Sequence, residues 1–381
     1  MNRRDFLRVA SIGGAAFFAS PYISFAAANT DRRFIFIIQR GAADGLNTVI
    51  PYADPYYAKL RGALAIDVSQ ATKLDGMFAL HPALAETAKI YSAGQALFAH
   101  AVASPYRERS HFDAQNVLET GGTSAYQVKD GWMNRLLGLL PAAQSEAIAF
   151  ASSIPMALRG KMEVSSYAPS ALPQASDDLL LRVGQLYAED SQLHNVWTAA
   201  MQASNMAEDA SGRQDPASLG KLAASFLVKT NGPRIAMLET GGWDTHTAQE
   251  GRLARQLKSL DSLIAALRDG LGPTWQKTTL LVATEFGRTA AANGTGGTDH
   301  GTGSAAMILG GDIKGGRVLA DWPGLSQSNL YENRDLKPTL NLDTLIASVT
   351  SESFGLAPTQ VAKALFPEAN IDKPLEGLIK V

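Results

Sequence analysis

Six short runs of mainly apolar residues are spaced along the chain and predict buried β-strands. The first run is rich in Ile and Phe and ends just before Gly41. A continuous apolar run of this kind, bounded by turn residues, is typical of a strand that is covered on both faces. The six runs are Arg33–Ile38, Ala96–Val102, Ala147–Ala151, Arg234–Leu238, Thr278–Ala283 and Ala305–Leu309.

Several segments between these runs have apolar residues at helical spacing. In the segment 247–271, Leu and Ile recur every three or four residues, which predicts a helix with one buried face. Strands that alternate with helices favour an α/β fold in which a mainly parallel sheet is sandwiched by helices. The other predicted helices are Pro82–Ala93, Asp177–Met206, Pro216–Val228, Leu342–Ser351 and Pro358–Phe366.

The stretch from about residue 165 to residue 229 is mostly helical in pattern and interrupts the alternation. We interpret it as a helical insert that covers the sheet. No internal repeat and no linker divides the remainder of the chain, so we expect a single domain over residues 29–381.

The first 28 residues have the pattern of an export signal. Arg3 and Arg4 are followed by x-Phe-Leu, then by a mildly apolar stretch and three alanines at 26–28. The paired arginines resemble a twin-arginine signal. We therefore expect a periplasmic or secreted protein, with the twin-arginine export machinery as a partner. The apolar stretch is too short for a stable membrane span. The alternative is a short amphipathic helix that begins the domain.

The composition excludes several classes of function. The 381 residues carry 34 Lys and Arg against 36 Asp and Glu, a formal net charge of −2. This balance argues against a protein that binds nucleic acid through bulk charge. The chain has no cysteine, so disulfides, thiolate metal ligands and a cysteine nucleophile are excluded.

Polar residues beside glycine follow four of the predicted strands, and ligands of open parallel sheets bind at such strand ends. His111, His246 and His300 lie in these loops, with Asp244 two residues before His246 and Asp299 next to His300. Imidazole and carboxylate ligands suit Zn²⁺, Mn²⁺, Fe or Ca²⁺. We therefore expect a divalent metal. The alternative is a hydrogen-bonded polar cluster in which an acid holds each histidine.

Five short motifs at the strand ends together resemble the DUF1501 family of exported proteins, which is placed in the alkaline phosphatase-like superfamily. The motifs span nearly the whole chain after the signal. They are Ala43–Asn47, Ser110–Asp113, Gly241–His246, Glu285–Thr289 and Gly297–Gly301. The resemblance implies an alkaline phosphatase-like α/β sandwich, with metals and a nucleophile at the strand ends. It also implies cleavage or transfer of phosphate and sulfate esters.

Acidic and histidine side chains in these motifs are the candidate metal ligands. By the resemblance, Asp244, His246 and His300 correspond to the ligands of a first metal. Asp44 and Glu285 lie near where the carboxylates of a second metal belong. The full candidate set is Asp44, Asp244, His246, Glu285, Asp299 and His300.

The candidate catalytic residues are Ser110, Arg40 and Arg288. Ser110 begins a predicted helix after the second strand, as the superfamily nucleophile does. Both arginines directly follow buried strands and are expected to stabilise developing negative charge. We therefore expect an exported hydrolase of phosphate or sulfate esters on a small molecule or a polymer. Glu285–Gly287 stands where the superfamily has Asp-His-Gly, so a non-catalytic binding or assembly protein that keeps the fold is the alternative.

Overall fold

A computed structural model describes residues 31–141, 146–168, 183, 187, 190, 192–198, 215–371 and 373–380. The predicted signal over residues 1–28 lies outside the described residues. Most of the helix predicted over residues 177–206 also lies outside them.

The described strands form a large mixed sheet and a small antiparallel one. All six predicted runs are strands of the large sheet, whose order is β11-β5-β10-β9-β1-β8-β6-β7, with β12 also beside β5. The small sheet has the order β2-β4-β3. The strands are β1 (Arg33–Gln39), β2 (Val49–Ile50), β3 (Thr72–Lys73), β4 (Ala79–Leu80), β5 (Ala96–Ala103), β6 (Ala147–Ala149), β7 (Ser165–Ser166), β8 (Ile235–Thr240), β9 (Thr278–Thr284), β10 (Ser304–Leu309), β11 (Arg317–Leu319) and β12 (Leu340–Asn341).

Helices cover both faces of the large sheet. In α7, leucines at helical spacing form the buried face, and in α6 the carboxylate of Asp215 caps the first turn while Pro216 occupies its first position. The helices are α1 (Gly45–Thr48), α2 (Tyr57–Arg61), α3 (Ala85–Ser92), α4 (His111–Thr120), α5 (Trp132–Leu137), α6 (Pro216–Leu227), α7 (Gln249–Leu271), α8 (Leu342–Phe354) and α9 (Pro358–Leu365). Elements such as β2, α1 and α5 are too short to show a period in the sequence.

Strand β1 lies at the centre of two hydrophobic layers. Ile35 and Ile37 pack on one face in a cluster with α3, α6 and α7. Phe34, Phe36 and Ile38 pack on the other face with α5, α8 and α9. Because successive side chains of a strand point to opposite faces, an entirely apolar strand must be covered on both sides. The predicted α/β sandwich is confirmed.

Both ends of the predicted helical insert belong to this sandwich. Strand β7 pairs with β6 at the edge of the large sheet, and α6 packs against α7. The middle of the insert lies largely outside the described residues. Among the helices that the structure describes, none has the length and hydropathy of a membrane span.

Strand β10 runs antiparallel to both of its neighbours, whereas the other pairs in the large sheet are parallel. It therefore begins at the edge where β1, β5, β8 and β9 end. The loops that carry the predicted functional residues meet at this edge.

Candidate metal centre

Four side chains converge at this edge of the sheet, and we call them the histidine–aspartate cluster. His111 is the first residue of α4, Asp244 and His246 follow β8, and His300 precedes β10. Nε2 of His300 lies 3.0 Å from Nε2 of His111 and 3.0 Å from Nε2 of His246. Asp244 Oδ1 lies 3.0 Å from His246 Nε2 and 3.3 Å from His300 Nε2. Asp244 Oδ2 lies 3.5 Å from His111 Nε2.

An oxygen atom fixes the outer nitrogen of each of these imidazoles. The three Nδ1 contacts are His111 with Glu285 Oε1 (2.9 Å), His246 with Asp299 Oδ1 (3.1 Å) and His300 with the carbonyl oxygen of Arg109 (3.0 Å). These oxygens accept hydrogen bonds, so Nδ1 carries the proton and Nε2 of the neutral ring keeps a lone pair. All three lone pairs therefore face the interior of the cluster.

This donor set fits a divalent metal. Three nitrogen lone pairs and a carboxylate oxygen at such distances repel one another unless a cation lies among them. Zinc–nitrogen bonds of about 2.0–2.1 Å in a tetrahedral site place ligand atoms about 3.3 Å apart. The ligand atoms of His111, Asp244 and His300 all lie within 4.8 Å of one another. A ligand histidine bonded through its other nitrogen to a carboxylate or carbonyl is also typical of metal sites.

The surrounding carboxylates are ionised, which makes the cluster attractive to a cation. Burial would raise the pKa of Asp244, but Arg288 outweighs it and the pKa is lowered. Burial likewise opposes the hydrogen bonds that lower the pKa of Glu285. The hydrogen bond from Asn293 lowers the pKa of Asp299. Three carboxylates against one guanidinium leave a formal charge of −2 around the imidazoles.

The histidines of the cluster differ in proton affinity. The hydrogen bond to Glu285 raises the pKa of His111. Burial, followed by the charge of His111, lowers the pKa of His300. A lowered pKa keeps His300 in the neutral form, which is the form that binds metals.

The loop between β9 and β10 folds back on itself and brings Arg288 opposite His300. The amide of Gly301 donates to the carbonyl oxygen of Gly287 at 2.8 Å. A Cβ on Gly287 would lie 1.9 Å from the carbonyl oxygen of Gly303, and one on Gly301 would lie 2.3 Å from that of Arg288. Only glycine permits these close backbone approaches.

Arg109 holds His300 through its backbone. Its φ of 60° is in the left-handed region, which is uncommon for a residue other than glycine, and its carbonyl oxygen contacts His300. The side chain anchors this conformation, because Nε donates to Asp335 Oδ2 at 2.9 Å. Asp335 is fully buried.

The structure brings together three of the six candidate ligands: Asp244, His246 and His300. Glu285 and Asp299 lie behind the cluster and bond to its imidazoles. Asp44 is not among them. Its carboxylate, 1% exposed, accepts hydrogen bonds from Arg61 at 2.5 and 2.9 Å, from Gln249 at 2.5 Å and from two amides of α1. The buried guanidinium of Arg61 occupies the position of a cation there.

The candidate catalytic residues have different surroundings. Ser110 precedes α4, and its hydroxyl caps no amide of the helix. Arg288 is buried and donates to Asp244 in the cluster at 2.5 Å. Arg40 donates to Glu119 at 2.9 Å and to Glu239 at 2.5 Å. Both arginines are therefore paired with carboxylates of the protein, whereas the sequence led us to expect that they stabilise developing negative charge.

His111 is the cluster member to which the resemblance gave no ligand role. Its sequence signal is its position, directly after Ser110 in a motif that follows a buried strand. Its partner Glu285 is 174 residues away in the chain. Only the sheet order, which places the two strand ends close together, reveals the pair.

Comparison with known proteins gives distant structural likenesses and one family. The C-terminal periplasmic domain of EcEptC from Escherichia coli, in complex with Zn, is 8% identical with a TM-score of 0.39, covering 74% of each chain. Alkaline phosphatase from the Antarctic bacterium TAB5 is 11% identical with a TM-score of 0.33, covering 73% of this chain and 90% of that one. A 2-O GAG sulfatase is 11% identical with a TM-score of 0.40, covering 90% and 76%.

These likenesses are distant, so the function of this chain is argued from its own side chains. No curated protein matches the sequence. The sequence profile described as "Protein of unknown function (DUF1501)" matches residues 31–366. This match covers most of the chain and confirms the relationship that its strand-end motifs indicate: the protein belongs to the DUF1501 family.

Proposed function

We propose that this protein is a metal-dependent hydrolase of phosphate or sulfate esters. The observation that carries the proposal is the convergence of three imidazole Nε2 atoms on the carboxylate of Asp244. An oxygen acceptor fixes each ring from behind. A divalent metal, when bound, supplies Lewis-acid polarisation of an ester oxygen.

The residues of the cluster would hold the metal, and their neighbours would keep them in place. Glu285 and Asp299 fix the ring orientation of His111 and His246. Arg288 holds Asp244, and its buried guanidinium places a positive charge beside the cluster. We assign Arg288 a positioning role, because its guanidinium donates to Asp244 and to Thr298.

Ser110 is the candidate nucleophile that the local structure favours. It lies at the N-terminus of a ten-residue helix, next to His111, where the helix dipole favours negative charge. Its hydroxyl is not used to cap the helix and interacts with the side chain of Tyr106. In this proposal, either the Ser110 hydroxyl or a water molecule attacks the phosphorus or sulfur atom. The bond from that atom to the ester oxygen breaks, and the leaving alcohol takes up the proton of the nucleophile. After attack by Ser110, a water molecule then hydrolyses the ester formed on the serine.

Metal content and ester hydrolysis, measured on the same preparations, test the proposal. We expect elemental analysis to find a divalent metal in the purified protein and in a His194→Ala control, whose imidazole lies on an exposed helical segment. His300→Ala should hold far less metal and lose hydrolysis of an aryl phosphate or aryl sulfate. If the unmodified protein holds no metal and cleaves neither ester, the hydrolase proposal fails and the non-catalytic alternative replaces it.

We also propose that residues 1–28 direct export through the twin-arginine machinery. The paired Arg3 and Arg4 support this. The family match begins at residue 31, after the predicted signal. The action on the ester would then take place in the periplasm or outside the cell.

A further inference from the structure

A cleft of about 540 Å³ opens beside the histidine–aspartate cluster. Asp299 and Asn293 line the cleft, and Asp299 also bonds to His246 of the cluster. Arg334 lines it as well and donates to the carbonyl oxygen of His300 at 2.9 Å. The cleft therefore borders the candidate metal centre on the side of Asp299.

Several polar side chains of the cleft are unengaged. Within the described part of the chain, Lys59, Gln327 and Asn333 make no side-chain hydrogen bond or ion pair. Tyr56 adds an aromatic ring that is 42% exposed. Lys59 gives the cleft a cation that is unpaired among the described residues, and Arg334 adds a guanidinium that also pairs with Asp335 at 3.4 Å. The one carboxylate of the lining, Asp299, is already bonded to an imidazole.

The turn that presents part of this lining is held in an unusual conformation. Glu332 and Asn333 both have positive φ, 52° and 56°. Such strain persists only where the surroundings determine it, and it often marks functional sites. Here Arg109 pairs with Glu332 and Asp335 on either side of the turn, and the carbonyl of Arg109 also bonds to His300. One residue thus links the cleft and the cluster.

We propose that the cleft binds an anionic saccharide that carries the ester to the cluster. This inference rests on the proposed function, because it names the substrate class of the same site. The free amides of Gln327 and Asn333 both donate and accept, as sugar hydroxyls require. The cations of Lys59 and Arg334 suit sulfate, phosphate or carboxylate groups on the sugar. The volume lies within the range of small-ligand sites and exceeds what a lone oxyanion needs.

The test measures saccharide binding without turnover. The probes are a dextran sulfate hexasaccharide and uncharged isomaltohexaose of the same length, titrated calorimetrically into the full mature protein. The double variant Lys59→Gln with Asn333→Gly replaces the cation at residue 59 by a neutral amide and removes the amide at residue 333, where glycine tolerates the positive φ. Lys258→Gln, on the exposed face of α7, is the matched charge control.

We expect the unmodified protein and the Lys258→Gln variant to bind the sulfated probe with equal affinity. Both proteins should bind the uncharged probe at least about tenfold more weakly than the sulfated one, a difference of about 1.4 kcal/mol in binding free energy. The double variant should lose at least about tenfold in affinity for the sulfated probe while melting at the same temperature. Equal binding of both probes, or an unchanged affinity in the double variant, overturns the cleft proposal.

A His300→Ala protein separates this inference from the proposed function. If that variant binds the sulfated probe while the unmodified protein shows neither metal nor hydrolysis, the cleft proposal stands and the hydrolase proposal fails. If the unmodified protein holds metal and cleaves aryl esters but binds neither saccharide, the hydrolase proposal stands and the cleft proposal fails.

Discussion

Replacing Glu285 by glutamine tests whether the cluster holds a metal, and it changes no direct ligand. Glu285 is fully buried, and its Oε1 accepts from His111 at 2.9 Å, from Gly41 at 2.8 Å and from Gln115 at 3.1 Å. Glutamine has the same shape, and its carbonyl oxygen can keep these three contacts. Its amide would face Thr284, whose hydroxyl also contacts the carbonyl of Gln39 at 2.7 Å and can donate there. The variant should therefore fold.

The substitution removes a negative charge from directly behind the imidazole of His111, which we propose as a metal ligand. Loss of such a partner typically lowers metal affinity by about 10- to 100-fold, or about 1.4–2.7 kcal/mol. Because Glu285 is fully buried, solvent screens its charge little, and we expect the upper part of this range. Asp299→Asn should cost less, because the Asp299 side chain is 52% exposed.

The assay is competition between the protein and a chromogenic chelator for zinc, with circular dichroism to verify folding. Glu376→Gln, at an exposed position near the C-terminus, controls for the loss of one negative charge. We expect the zinc affinity to decrease from Glu376→Gln to Asp299→Asn to Glu285→Gln. The Glu376→Gln protein should bind zinc as tightly as the unmodified protein. A folded Glu285→Gln protein that binds zinc within about threefold of the control would refute the role assigned to this carboxylate.

Three further predictions concern other parts of the chain. Ser110→Ala and Ser110→Asp should each lower aryl ester hydrolysis by at least about 100-fold, with less than about 1 kcal/mol of lost stability, because the hydroxyl caps no amide. Full activity in both variants would assign the attack to water. Arg3→Lys with Arg4→Lys should leave precursor in the cytoplasm on cell fractionation, and normal periplasmic accumulation would contradict the signal assignment. Burial raises the pKa of Asp343 from 3.8 to about 7. The unfolded chain releases this proton first, so stability should fall between pH 4 and pH 7 by up to about 4 kcal/mol. Asp343→Asn should remove that fall in urea unfolding, whereas an unchanged pH profile would show that the carboxyl titrates normally.

The large sheet was predictable because its strands are apolar throughout. The run Phe34–Ile38 is apolar at every position, so both faces of this strand are apolar. This pattern by itself requires that other elements cover the strand on both sides. The long helix α7 was predictable because its leucines repeat at helical spacing. The location of the site followed from the general rule that ligands bind where parallel strands end.

The role of each acidic residue in the motifs was not predictable from its neighbours in the sequence. Asp44 and Glu285 both follow buried strands. The partner of Asp44 is Arg61, which an intervening loop and short helix bring back over it, whereas Glu285 faces His111 from a distant part of the chain. Neither pairing can be inferred from the residues that neighbour Asp44 or Glu285 in the sequence. Only tertiary packing therefore makes Asp44 the partner of a buried guanidinium and Glu285 the hydrogen-bond partner of an imidazole in the cluster.

The reversal of β10 explains how the cluster can be completed. Had β10 run parallel to β9, the chain after Glu285 would have crossed to the opposite edge of the sheet before it entered the next strand. Because β10 is antiparallel, the connecting loop begins and ends at one edge. It can therefore supply Arg288 near its start and His300 near its end. A hairpin-like return this tight requires glycine where the two arms touch, as at Gly287 and Gly301. The glycines of this loop are thus part of the geometry that brings His300 to His111 and His246.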